Sequence, residues 1–317
     1  FDPTENPPTL KRTIQYSTPG PLQKVVADGL GGETSTDGRR TAISEHIITT
    51  YKPNLMLIHL IELDGAHHRN GPRTPPAIET AERMDTYIGR IVEATRKAGI
   101  FEKTTFFIVS DHGFAAVEKR FEPNVVLVKE KLITLDAAGK ATDWKAAAWP
   151  AGGGCAIMLR DPNDKETAAK VAEIFRKIAA RGGSPINRVL TPDEVKRLGA
   201  VPQAALMLDA APGYTFGEAL TGPEVHTPAN YRGTHGQLPT RADMRASLVI
   251  YGEGARVGAK VALARMIDIA PTAAALLGLS LPQAEGSPIR ELLHPAIKIQ
   301  PPAEKDSRKK AQKSQKG

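Results

Sequence analysis

Five residues of this sequence have the types and spacing to hold metal ions. Asp64 and His68 stand in Asp64-Gly65-Ala66-His67-His68, just after an apolar run. Asp111 and His112 stand in Ser110-Asp111-His112-Gly113, after a second apolar run, and His235 lies far downstream in Gly233-Thr234-His235-Gly236. Imidazole nitrogens and carboxylate oxygens are the donors a Zn²⁺-like ion takes, about four at a time and at about 2.0–2.2 Å. Three imidazoles and two carboxylates complete the shell of one such ion and half the shell of a second. Two ions side by side can stabilise the entering and leaving oxygens of an in-line displacement at phosphorus. Each piece alone also has a plain structural reading. Asp64 and His68 could be hydrogen-bonding loop residues, Asp111 a helix cap beside a surface His112, and His235 a solvated loop histidine. His67 is an adjacent candidate that spacing alone does not separate from His68. His46, His59, His226 and His294 lack a comparable setting, and His59 reads as a residue within a strand.

The elements that must position these groups read as an alternating α/β chain. Thr41–Tyr51 has helical spacing and stops before Lys52-Pro53. Leu55–Ile61 is a near-continuous apolar run of the kind found in strands buried on both faces, which places Asp64 in a loop at its carboxyl end. Pro75–Gly99 predicts a long helix, with Ile78, Ala81, Met84, Ile88, Ile91, Val92 and Thr95 as its apolar stripe, Thr74 as its cap and Gly99 as its close. Thr104–Val109 predicts a second buried strand, with Asp111 and His112 at its tip. Strand, helix and strand then make a right-handed parallel unit, whose ligands gather outside the carboxyl ends of the strands. Further strands are expected at Cys155–Leu159, Ala204–Asp209 and Ser247–Tyr251, and helices at Lys165–Arg181, from Leu190–Glu194 onward, and at Met266–Leu277. Ala210–Pro239, rich in Gly, Pro and Thr, reads as loop around His235.

Composition supports a folded chain with a sizeable core: 41% of the 317 residues are hydrophobic. The net charge of +7 could suggest nucleic acid or an anionic surface, but much of it sits in one place. Between Glu304 and Lys316, six Lys and Arg face two acidic residues. That Ser/Gln/Lys-rich stretch has no apolar periodicity and reads as a solvated, disordered tail, so no specific nucleic-acid binding is expected. The single cysteine, Cys155, excludes an internal disulfide and reads as a core residue. No apolar run approaches the length of a transmembrane helix. Three segments are expected: an irregular, insertion-like 1–40 with one helix near 21–29; a catalytic domain over 41–295; and a basic tail over 296–317.

The run from Pro53 through Asn124 resembles the nucleotide pyrophosphatase/phosphodiesterase family (type I phosphodiesterases) of the alkaline phosphatase superfamily. The resemblance rests on Asp64-x-x-x-His68-x-x-Gly71-Pro72, then a long helix, then Ser110-Asp111-His112-Gly113 at a strand end. Gly233-Thr234-His235-Gly236 matches the family's Gly-x-His-Gly, and Met244–Ser247 and Ile267–Thr272 with Leu277-Gly278-Leu279 match its last strand and helix. One departure is His67, where the family more often has Gly. The resemblance implies a three-layer α/β/α, alkaline-phosphatase-like fold with a mostly parallel sheet. It implies that Asp64, His68 and His235 bind one divalent metal, usually zinc, and that Asp111 and His112 bind a second. It implies hydrolysis of phosphodiester, pyrophosphate or phosphomonoester bonds in small-molecule phosphoesters or nucleotides through a covalent phospho-enzyme, outside the cytoplasm. The family's nucleophilic Thr or Ser, and a further Asp of the second metal shell, have no match in residues 1–40: Thr4, Thr13 and Thr18 follow no buried strand. The expectation is therefore a C-terminal fragment without its first strands or nucleophile, inactive by itself. A sulfatase, phosphonate hydrolase or phosphoglycerate mutase shares this metal shell, and a non-catalytic metal-binding remnant is the third alternative.

Overall fold

The computed structural model describes residues 19–20, 24 and 32–299. The expected helix near 21–29, apart from residue 24, and the basic stretch from residue 300 onward lie outside the described residues. The chain divides into two compact units, residues 1–94 with 110–247 and residues 95–109 with 248–317, and each is taken by itself. No described helix is long and apolar enough to cross a membrane.

In the first unit, helix α1 (Thr36–Tyr51) begins five residues before its apolar spacing does. The hydroxyl of Ser35 accepts the Gly38 N–H at 3.0 Å, which satisfies one of the free donors of the first turn. The helix ends at Lys52 in the left-handed conformation, ahead of Pro53. The apolar run Leu55–Ile61 corrects an expectation. It forms neither helix nor strand and pairs with no strand among the described residues, and Leu57 is 88% exposed. Apolar content favours burial, but a strand is buried only where neighbours cover it. Asp64 is likewise not in a loop: helix α2 (Glu62–Asn70) starts directly after the run and carries both Asp64 and His68.

Helix α3 (Pro75–Lys97) is present, with its buried stripe turned from the one read in the sequence. Ala77, Thr80, Met84, Tyr87, Ile91 and Ala94 are buried, while Ile78 is half exposed. Arg90 ties this helix to α1 through Glu45, at 2.8 and 3.0 Å, and also pairs with Glu33.

Four strands form the best-packed part of the unit: β5 (Ala146–Ala151), β6 (Gly154–Leu159), β7 (Ile186–Leu190) and β8 (Leu206–Ala210), ordered β5-β6-β8-β7 and antiparallel throughout. In sequence they follow β1 (Thr105–Val109), β2 (Ala115–Phe121) and a small hairpin of β3 (Ile133–Leu135) and β4 (Ala141–Trp144). Between β2 and β3 lies helix α4 (Pro123–Lys129), whose Val126 and Leu127 join the core. Helix α5 (Lys165–Ala179) presents Val171, Phe175 and Ile178, an i, i+4, i+7 stripe, to a core containing Cys155, Ile157, Leu206 and Leu208. The other face of β6 contributes Ala156 to a second cluster with Leu190, Leu238 and Val195 of helix α6 (Pro192–Arg197). Its run of apolar residues is thus buried on both faces, between antiparallel neighbours.

Strand β2 (Ala115–Phe121) organises the remainder. It pairs in parallel with β9 (Gly213–Phe216) and antiparallel with β10 (Val225–His226) and β11 (Gly233–Thr234). These three short strands lie where the sequence reads as loop, because Gly/Pro/Thr composition hides segments that take their hydrogen bonds from a neighbour. In the second unit, β1 (Thr105–Val109) pairs antiparallel with β12 (Leu248–Gly252), and helix α7 (Ile269–Leu276) follows a 3-10 turn at Met266–Asp268. The β2–β9 pair is the one parallel ladder among the described residues, against the expectation of a mostly parallel sheet; the α/β character itself is as read.

Candidate metal centre

The site is built on the start of α2. The buried Asp37 of α1 accepts the Ile61 and Glu62 N–H groups, each at 2.7 Å, while its own N–H donates to Glu62 Oε1 at 2.9 Å. A carboxylate from another helix thereby caps α2, which has no side-chain cap of its own. Burial pushes the Asp37 carboxyl above its ordinary range, against the lowering effect of those two amides. Once the segment is helical, Asp64 and His68 at i and i+4 share one face, and His68 Nε2 lies 3.5 Å from Asp64 Oδ2.

His235 arrives by strand register. Thr234 pairs with Ala115 and Gly233 with Ala116, so the next residue of each strand, His235 and Phe114, meet beyond the end of the ladder with ring centroids 5.3 Å apart. The Arg232 N–H donates to His68 O at 2.7 Å, tying the incoming strand to α2. On its other side, the hairpin between β5 and β6 reaches the same segment: the Gly153 N–H donates to His235 O at 2.7 Å. Gly152 has φ +65° and stands so close that a Cβ would lie 2.3 Å from His235 O, a position only glycine fills.

The donors converge. His235 Nε2 is 3.6 Å from Asp64 Oδ1, and His112 Nε2 is 3.9 Å from the same oxygen and 3.5 Å from Asp111 Oδ2. The ligand atoms of Asp64, His68 and His235 all lie within 4.8 Å of one another. Donors about 2.1 Å from one tetrahedral ion stand about 3.4 Å apart, so this spacing suits a shared ion better than direct hydrogen bonds. The second nitrogens are engaged elsewhere: His68 Nδ1 is 2.9 Å from Gly233 O and His112 Nδ1 is 3.0 Å from Gly113 O. An Nδ1–H donated to a carbonyl leaves Nε2 as the free lone pair, the usual arrangement of metal-binding histidine. Burial, and then the neighbouring His112 and His68, push the His235 imidazole below its ordinary pKa and favour the neutral, ligating form. The residues present therefore fit a divalent ion.

All five residues read from the sequence are brought together, with Asp111 the most exposed of them. His67 is not: its ring packs on Phe114 at 4.8 Å, and burial lowers its pKa. His226 pairs instead with the buried Glu122 at 2.9 Å. His59 is exposed, in the stretch that forms neither helix nor strand, and Cys155 is fully buried, its thiol pushed far up by desolvation. Three contributors escaped the sequence reading. Asp37, Phe114 and Tyr231, whose ring stacks on His68 at 5.0 Å, carry no motif and act only through the fold.

A family model described as type I phosphodiesterase/nucleotide pyrophosphatase matches residues 6–237. An uncharacterised pyrophosphatase/phosphodiesterase of Schizosaccharomyces pombe is 26% identical over 129 residues, 40% of this chain and 25% of that protein. Human ectonucleotide pyrophosphatase/phosphodiesterase family member 7 is 30% identical over 67 residues, 21% of this chain and 15% of that protein. Among solved structures, human ectonucleotide pyrophosphatase/phosphodiesterase 5 superposes with a TM-score of 0.61 at 19% identity, covering 82% of this chain and 64% of that one. The murine counterpart, an inactive variant in complex with AMP, gives a TM-score of 0.62 at 18% identity with the same coverage. The matched stretches thus span a quarter or less of the curated relatives and just under two thirds of the solved chains. The likeness establishes an alkaline-phosphatase-like α/β fold.

Proposed function

Because the chain belongs to the type I phosphodiesterase/nucleotide pyrophosphatase family, we propose that it forms the metal-binding part of a hydrolase of phosphodiester or pyrophosphate bonds. The observation that carries the reading is the Asp64 carboxylate, whose two oxygens face the Nε2 atoms of His68, His235 and His112. Asp64, His68 and His235 would hold one divalent ion, zinc first, and Asp111 with His112 would contribute to a second. Bound there, such ions would neutralise charge developing on the phosphoryl oxygens and lower the pKa of a coordinated hydroxyl.

The chain's own residues do the positioning. Asp64 presents both oxygens from one helical turn, and the carbonyls of Gly233 and Gly113 hold His68 and His112 with Nε2 outward. His235 closes the group from the β11 end. The hydroxyl nucleophile of a covalent phospho-enzyme is not one of these five residues. A nucleotide is the first substrate to try, since a murine relative was captured with AMP. The family likeness also favours a location outside the cytoplasm.

The test is metal uptake followed by hydrolysis. Apoprotein titrated with Zn²⁺ against a chromogenic chelator should bind tightly, and His68→Ala should weaken binding by more than about 100-fold, beyond the effect of a supporting residue. His67→Ala should leave it near wild type; the reverse pattern would show that the ligand is His67. In the full-length gene product, a nitrophenyl phosphodiester should be cleaved in preference to nitrophenyl sulfate. Preference for the sulfate, or wild-type protein that binds no metal, would overturn the proposal.

A further inference from the structure

The Phe114 ring lies against three of the five candidate ligands and against His67 as well. Its ring centroid lies 4.9 Å from that of His68, 5.3 Å from His235, 5.7 Å from His112 and 4.8 Å from His67. The contacts with His68 and His235 are edge-on, at 75° and 70°, the arrangement that aromatic ring quadrupoles favour. These imidazoles come from three separate segments: α2, the loop before β2, and the residue after β11. Phe114 itself immediately precedes β2, where the β2–β11 register fixes its place. The fit is close: a Cβ on Gly233 would lie 3.2 Å from the Phe114 ring.

Such a hub has a physical task. The χ2 torsion of histidine is broad and roughly two-fold, so a rotamer alone does not set the plane of the ring. A metal site needs each Nε2 lone pair aimed to within about 10–20°. His68 is restrained by its bond to Gly233 O and by Tyr231 stacked on its face. Among the described residues the His235 ring nitrogens make no hydrogen bond; its ring contacts both Phe114 and the stacked ring of His112, 3.7 Å away.

We propose that Phe114 is a positioning residue of the metal centre: its ring fixes the planes of His68, His112 and His235 so that their Nε2 atoms point toward Asp64 before metal arrives. This rests on the metal-binding reading above and goes beyond it, since Phe114 donates no ligand atom. Removing the ring frees the imidazoles to turn, and metal binding must then order them.

The experiment uses Co²⁺ as a spectroscopic probe of the whole chain, with apoprotein thermal melts alongside. Phe114→Leu should weaken Co²⁺ binding by about 10- to 100-fold, the usual effect of losing a group that orients a ligand, and should change the visible absorption bands of the bound ion. Phe114→Tyr, which keeps the ring, should restore both. Phe114→Met, which keeps most of the volume without the planar ring, should behave like Leu and separates ring loss from cavity formation. Wild-type affinity and spectrum in Phe114→Leu or Phe114→Met would overturn the proposal, as would weakened binding accompanied by unchanged bands and a lowered apoprotein melting temperature. Wild-type protein that takes up no Co²⁺ or Zn²⁺ removes the metal-binding reading itself, and the role of Phe114 with it.

Discussion

The four-stranded β5-β6-β8-β7 sheet and the two-stranded β1–β12 ladder are built from similarly apolar sequence, yet they end in different environments. In the first, Cys155, Ile157 and Leu208 are wholly buried beneath Val171 and Phe175 of α5. In the second, Val249 is 53% exposed, and Val109 and Tyr251 are about half exposed. The difference teaches that an apolar run specifies a tendency to be covered; its neighbours decide whether it is. The fully buried side chains also anchor the hairpin that reaches His235, so the covered sheet carries the mechanical support of the candidate site.

The largest expected effect tests this contrast. Phe175→Ala empties a filled core and should destabilise the protein by about 3–5 kcal/mol, whereas Val249→Ala should cost less than about 1 kcal/mol. Urea midpoints on the two variants decide it, and equal losses would erase the distinction. A smaller effect is expected where the covered sheet meets the site. Gly152→Ala places a Cβ against His235 O at positive φ, which should cost about 1–3 kcal/mol and weaken Zn²⁺ binding together. Retained metal affinity in that variant would show that the hairpin does not hold His235.

Burial can be probed through charge as well. The Asp37 carboxyl sits above its ordinary value of 3.8 because it is desolvated. The folded state therefore keeps a proton that the unfolded state has lost, and stability should fall as pH rises from about 3.8 through the raised value. Asp37→Asn should flatten that part of the stability curve, measured as urea midpoints from pH 4 to 7; an unchanged slope would mean that another group sets it. The smallest effect belongs to the surface. Arg160 pairs with Asp143, both largely exposed, and Arg160→Ala should change stability by no more than about 0.5 kcal/mol.

Sequence alone determined the candidate ligand types, their grouping and the principal helices. Asp64-x-x-x-His68, Asp111-His112 and Gly-Thr-His235-Gly were legible because metal chemistry restricts residue type, and helices α3 and α5 because apolar spacing is local. Tertiary structure decided what depends on distant partners. Asp37, 24 residues before Ile61, turns an expected loop into helix α2 and sets Asp64 and His68 on one face. Hydrogen bonds from β2 turn the Gly/Pro/Thr-rich stretch into β9, β10 and β11, and their register delivers His235. Phe114 has meaning only once three segments meet around it. The same rule accounts for Leu55–Ile61: its apolar side chains are written in the sequence, but burial comes only from neighbouring strands, and no described strand pairs with it.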